Sequence, residues 1–174
     1  MKDTSIDKYV LKFTIRDAYY PEAQMSWQFP VSLLYTELFS ECPKVRSKPG
    51  VSIDADNIDQ LCFDLSEEYE IKYIEYIGFR FQFDDRLTAP SPTRRGNLIL
   101  ANPLTQLEAE QTLRLYSLDH PMDLICTSDR TLARIGIDTL PITDVVAASS
   151  HVRYTLSGDA LQEIWLVSPS VYYQ

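Results

Sequence analysis

The feature that most restricts the fold is a hydrophobic pattern whose period changes several times along the chain. Tyr9, Leu11, Phe13 and Ile15 alternate with Val10, Lys12, Thr14 and Arg16. A period of two sets one face of a strand against a core. The same alternation recurs at Phe79, Phe81 and Phe83, and at Val152, Tyr154 and Leu156. Short apolar runs at 25–29, 98–101 and 123–127 suit further strands. Elsewhere the spacing is that of a helix. Val31, Leu34, Tyr35 and Leu38 predict a helix ending near Pro43, and Ile58, Leu61, Cys62, Leu65 and Tyr69 predict one from Asp56 to about Glu70. Thr105-Gln-Leu-Glu108 has the form of a capping box and opens a helix to about Leu118. Ser128 or Asp129 caps a short helix that Gly136 ends, and Asp159-Ala-Leu-Gln162 is a further cap. Residues 42–53 and 86–97 read as loops, rich in Pro and Gly. Strands and helices that mix without a βαβ rhythm predict an α+β fold. The expectation is one mixed domain over residues 1–174, with a predominantly antiparallel or mixed sheet and about four to five helices. The loop 86–97 is the place where it could subdivide.

Glycine bears on ligands. The chain has five, Gly50, Gly78, Gly96, Gly136 and Gly158, and even the nearest pair, Gly78 and Gly96, is far apart. Phosphate-cradling loops need clustered glycines so that backbone N–H groups can close on the anion. A dinucleotide-binding or P-loop site is therefore excluded, and no cofactor is expected. The cysteines, Cys42, Cys62 and Cys126, are too sparse for a structural zinc site. Three separated cysteines and a start without an apolar h-region read as reduced thiols in a cytoplasmic protein.

Charge is distributed unevenly. Lys and Arg number 16 against 25 Asp and Glu, a formal charge of -9. Residues 51–85 hold ten acids and two bases, so that this segment alone carries -8. An acidic chain is a poor ligand for nucleic acid or an anionic membrane. It is suited to steering a basic partner. Asp64, Glu67, Glu68, Glu70 and Glu75 are the candidate partner-binding residues, expected on one acidic, aromatic-flanked surface; the solvated face of an amphipathic helix explains the same acids without a partner. Arg94 and Arg95, next to Gly96, are a candidate anion site.

The segment Asp123-Leu-Ile-Cys-Thr-Ser-Asp129-Arg-Thr-Leu132 places an acid just past an apolar strand. Residues 122–143 resemble the T-x-D-x-x-L strand–helix of PIN-like metal-dependent nucleases. The resemblance implies carboxylates at strand ends that hold Mg²⁺ or Mn²⁺ and activate water against a phosphodiester. Asp129 would stand at the motif position, with Asp123 and Glu108 as partners. Asp129 as a helix cap explains the same residue without chemistry. Cys126, mid-strand, reads as a buried thiol. The leading expectation is a non-enzymatic binding module of inhibitor, immunity or adaptor kind. The alternatives are a small metal-dependent nuclease or hydrolase around Asp129, and a structural subunit of a larger assembly.

Overall fold

The computed structural model describes residues 12–21, 23–29, 33–37, 50–55, 60–78, 81–101, 112–118, 122–168 and 170–173. Among them are sixteen strands and no helix. The expected α+β fold with four to five helices is thereby corrected: the described residues are all-β. The reasons are local. The helix expected over 56–70 is replaced by β5 (Gln60–Leu65) and the hairpin into β6 (Ile71–Ile77). Leu61, Phe63 and Leu65 are buried at alternate positions; Phe63 belongs to that alternation and has no place in a helical stripe. In β6 the pairing steps from Asp64↔Tyr73 to Leu65↔Ile71, a bulge at Lys72. Ile71 and Ile74 are consequently both buried at a spacing that imitates a helix.

The cap-like residues serve turns. A Ser or Asp oxygen that accepts an N–H two residues on closes a tight turn as well as it opens a helix. Ser66 Oγ accepts the Glu68 N–H at 3.2 Å and the Glu70 N–H at 3.1 Å in the β5–β6 hairpin. Asp129 Oδ1 accepts the Thr131 N–H at 3.0 Å in the turn joining β11 (Asp123–Cys126) to β12 (Leu132–Gly136). The helix expected over 128–136 is therefore a turn and a strand, with Ala133 and Ile135 buried. Asp159 lies in the two-residue turn between β14 (Val152–Ser157) and β15 (Ala160–Val167). Gly158, first in that turn, has φ 61°, and Asp159 is not left-handed, the type II′ form. Of the helices expected over 31–43 and 105–118, the described parts are β3 (Leu33–Glu37) and β10 (Thr112–Leu118), and the rest lies outside the described residues. The expected loops contain β4 (Gly50–Ala55), β8 (Arg94–Arg95) and the start of β9 (Asn97–Leu100). The alternating segments are strands as read: β1 (Phe13–Arg16), β2 (Gln24–Phe29), β9, β11 and β14. Gln82–Phe83 is β7, while Phe79 and Arg80 lie outside the described residues.

Two seven-stranded sheets result. The first runs β10-β4-β5-β6-β3-β2-β16, where β16 is Ser170–Tyr173. The second runs β7-β11-β12-β15-β14-β13-β8, where β13 is Asp144–Ala147. Inner pairings are antiparallel, and each outermost strand pairs parallel to its neighbour. The β1–β9 ribbon stitches the sheets together: Lys12 bridges Ala160 of the second, and Ile99 bridges Glu70 at the head of β6 in the first. The chain changes partner between β8 and β9 at Gly96. A Cβ there would lie 2.6 Å from Ile15 Cγ2 and 2.9 Å from the Arg16 carbonyl oxygen, so the corner requires glycine.

One cluster of buried side chains joins these parts, including Leu61, Phe63 and Ile74 of the first sheet, Leu124, Ile135 and Ile164 of the second, and Phe13 and Leu98 of the ribbon. Phe13 meets Phe63 edge to face at 6.3 Å. The second sheet is covered on its other face as well. β7 and β8 are its two edges, so residues 84–93 must cross it from side to side. Six inter-strand steps are about 29 Å, within reach of that segment when extended. Arg153 Nη1 donates to the Pro90 carbonyl at 2.8 Å, which places the crossing on the face of Arg153 and Trp165. Trp165, on this outward face, is only 5% exposed. Among the described residues no helix is long and apolar enough to cross a membrane.

Candidate functional site

β5 and β6 are the third and fourth of seven strands, so their outward residues stand at the centre of the first sheet. Asp64 is exposed there, and Cys62, Tyr73 and Glu75 are partly exposed. Asp64 is in register with Tyr73, and Cys62 with Glu75. On the next strand, Glu37 is in register with Tyr73 and Tyr35 with Glu75. One row across β5, β6 and β3 thus reads Asp64–Tyr73–Glu37, and the next reads Cys62–Glu75–Tyr35. Partial burial pushes the Asp64 carboxyl up, and burial followed by the charge of Asp64 pushes Glu75 up. A cation placed between these acids would draw both back down.

The other expected partner-binding acids are elsewhere. Glu67 and Glu68 are exposed at the tip of the β5–β6 hairpin, where Glu68 pairs with Arg16. Glu70 is 4% exposed. Its carboxylate accepts from the Tyr20 hydroxyl, from Asn97 Nδ2 at 3.0 Å and from Arg16 Nη1 at 3.2 Å. Asn97, wholly buried, also donates to the Ile71 carbonyl at 2.7 Å and accepts from the Tyr154 hydroxyl at 3.4 Å. Burial and then Glu70 hold the Tyr20 and Tyr154 hydroxyls protonated well beyond the ordinary tyrosine range. This network lies where the ribbon meets both sheets, and sequence reasoning missed it. The five acids of one expected surface are thus divided among a sheet face, a hairpin tip and an interior joint. Tyr69, in the same hairpin, has φ 62° and packs against the core. The left-handed backbone costs about 1–2 kcal/mol, which the packing offsets.

The structure separates the acids of the metal reading. Asp123 starts β11, and Asp129 lies in the turn beyond its far end. From Asp123 to Thr127 alone is about 13 Å of extended strand. Glu108 lies outside the described residues. Asp129 accepts from Thr131 Oγ1 at 2.8 Å as well as from its N–H, and hydrogen bonds from Thr127 and Thr131 hold its carboxyl below the usual range. The strand–helix of the PIN-like resemblance is here a strand–turn–strand. Asp85 fastens the same turn, accepting from the Ser128 N–H and Oγ, both at 2.7 Å. No group of three His, Cys, Asp or Glu residues that could hold a metal occurs among the described residues. Arg94 and Arg95 are exposed on the edge strand β8, and the Arg95 guanidinium lies 4.5 Å over the Tyr19 ring. Cys126 is wholly buried, and burial pushes its thiol up to about 11.

A further hollow opens at one end of the second sheet. Gly136 is in register with Asp123 on one side and Glu163 on the other. It has no side chain to fill the space between them. The chain after it folds over the gap: the Ile137 and Asp138 N–H groups donate to the Gln162 carbonyl at 2.8 and 3.1 Å, and the Leu140 N–H donates to Gln162 Oε1 at 2.8 Å. The resulting cleft has a volume of about 280 Å³. Glu163, in its wall, accepts from Arg134 Nη1 at 3.4 Å, Thr155 Oγ1 at 3.2 Å and Trp165 Nε1 at 2.7 Å. No protein-family model matches this chain, and no curated protein matches it in sequence.

Proposed function

We propose that this chain is a cytoplasmic protein-binding module, of inhibitor, immunity or adaptor kind, that receives a basic protein on the centre of the first sheet's outward face. The observation that supports this reading is the acid–tyrosine–acid row Asp64–Tyr73–Glu37 with Glu75 beside it. The strands hold these positions in a rigid array, so little ordering entropy is lost on binding. Tyrosine supplies a large contact area with few rotatable bonds and is enriched among residues that dominate interfaces. The two displaced acids supply charge that a lysine or arginine would satisfy. The excess of -8 over residues 51–85 adds a field that speeds encounter and weakens with salt. Cys62 and Cys126 form no disulfide, as suits a reducing compartment.

The test is a titration of the partner isolated from the native host against the wild type and an Asp64→Asn/Glu75→Gln double variant. Charge-assisted contacts are worth roughly 1.5–3 kcal/mol each, so the double variant should bind at least about tenfold more weakly and show a shallower salt dependence. Equal affinity at low salt would refute the acidic face as the recognition surface.

A further inference from the structure

We infer that the cleft at Gly136 is a second recognition site, built to seat a lysine side chain of a partner protein. Three carboxylates line it, Asp123, Asp138 and Glu163, against one base, Arg134. Glu163 is already committed to Arg134, Thr155 and Trp165, and Asp138 accepts the Thr139 N–H at 2.8 Å. Asp123 is exposed, and its carboxylate has no hydrogen-bond partner among the described residues. The cleft therefore carries a net negative charge with one acceptor left over. Its outer wall is apolar: Leu140 and Ile142 line the cleft and are 51% and 47% exposed. Charge at one end and hydrocarbon at the other match a lysine, whose four-carbon stem packs on apolar surface while its ammonium offers three donors. Gly136 gives the cleft its depth, since a side chain there would rise between Asp123 and Glu163. A Cβ at Gly136 meets nothing closer than Asp123 Cβ at 3.5 Å, so an added methyl makes ordinary contacts there and a longer side chain would extend into the space.

This inference is independent of the first-sheet face, because the residues involved do not overlap. Its test uses acetyl-Gly-Lys-Gly-amide, with norleucine and glutamate in place of lysine as controls, titrated into the ¹⁵N-labelled full chain and followed by amide shifts. Saturable shifts of Gly136, Asp138 and Leu140 are expected with the lysine peptide, weaker ones with norleucine and none with glutamate. Asp123→Asn should weaken lysine binding about tenfold, as loss of a charged acceptor does. Gly136→Leu should abolish it. Equal binding of the lysine and norleucine peptides, shifts centred on Tyr73, or unchanged lysine binding by Asp123→Asn would overturn the assignment. Asp123 is exposed at a strand end, so that variant reads out even if Gly136→Leu fails to fold.

Discussion

Glu70→Ala should be among the most damaging single substitutions of a charged residue in this protein, although the acid sits in a stretch that looks like solvated surface. The carboxylate is 4% exposed and accepts from Tyr20, Asn97 and Arg16. Alanine removes the acceptor that the Tyr20 hydroxyl, one Asn97 N–H and the inner side of the Arg16 guanidinium share. Asn97 retains the Ile71 carbonyl and Arg16 retains Glu68, so neither is orphaned entirely. The charge left behind, Arg16, is exposed and still paired with Glu68, so the cost is that of buried donors losing their acceptor, about 1–3 kcal/mol. For a chain of this length that corresponds to roughly a 2–12 °C fall in Tm, at about 2–4 °C per kcal/mol. Glu70→Gln keeps the shape and part of the hydrogen bonding, and should cost about half as much. The assay is urea unfolding of wild type, both variants, Tyr20→Phe and the Glu70→Ala/Tyr20→Phe pair. Residues that share a hydrogen bond should show a coupling of about 1–3 kcal/mol. A Glu70→Ala cost below about 1 kcal/mol, or additive behaviour with Tyr20→Phe, would refute the network as the joint between ribbon and sheets.

Two further predictions concern glycine and pH. Gly96→Ala should destabilise by about 1–3 kcal/mol, because its methyl would meet the Arg16 backbone oxygen at 2.9 Å, whereas Gly136→Ala should stay within about 0.5 kcal/mol; urea midpoints of the two variants decide it. The raised carboxyls of Asp64 and Glu75 favour the folded state when protonated. Their contribution is fully present below the ordinary carboxylate range and is lost as pH rises through their displaced values. Asp64→Asn/Glu75→Gln should therefore flatten the pH dependence of the unfolding midpoint as pH rises above the ordinary carboxylate range. A profile identical to the wild type would count against the crowding of these two acids.

Part of this architecture is legible in the residues. Where apolar positions alternate without interruption, as at Val152, Tyr154 and Leu156, the strand follows directly. Where a bulge or a turn interrupts the alternation, the same letters admit two readings. Ile71 and Ile74 acquire a helical spacing from the extra residue Lys72, and Ser66 and Asp129 make the hydrogen bond common to caps and turns. Neither ambiguity can be resolved within a short window, because the strand partner that decides it is elsewhere in the chain. Asp129 shows the consequence for function: as a metal ligand it would mark a site, and as a turn residue it fastens a hairpin.

By itself the sequence determined what depends on composition and local order: charge confined to one acidic segment, no glycine-rich phosphate loop, a cysteine in an apolar run that proves buried, and the uninterrupted strands. Only the tertiary structure decided which acids stand in one row of the sheet. Glu37 joins Asp64 and Tyr73 because β3 pairs with β6 across the intervening β4 and β5, and Gly136 opens a cleft because it lies between Asp123 and Glu163. Glu70, close to Glu68 in the chain, is inside because the hairpin turns it onto the ribbon. The physical reason is that strand register is set by packing between segments distant in sequence, and a shift of one residue exchanges every buried side chain for an exposed one.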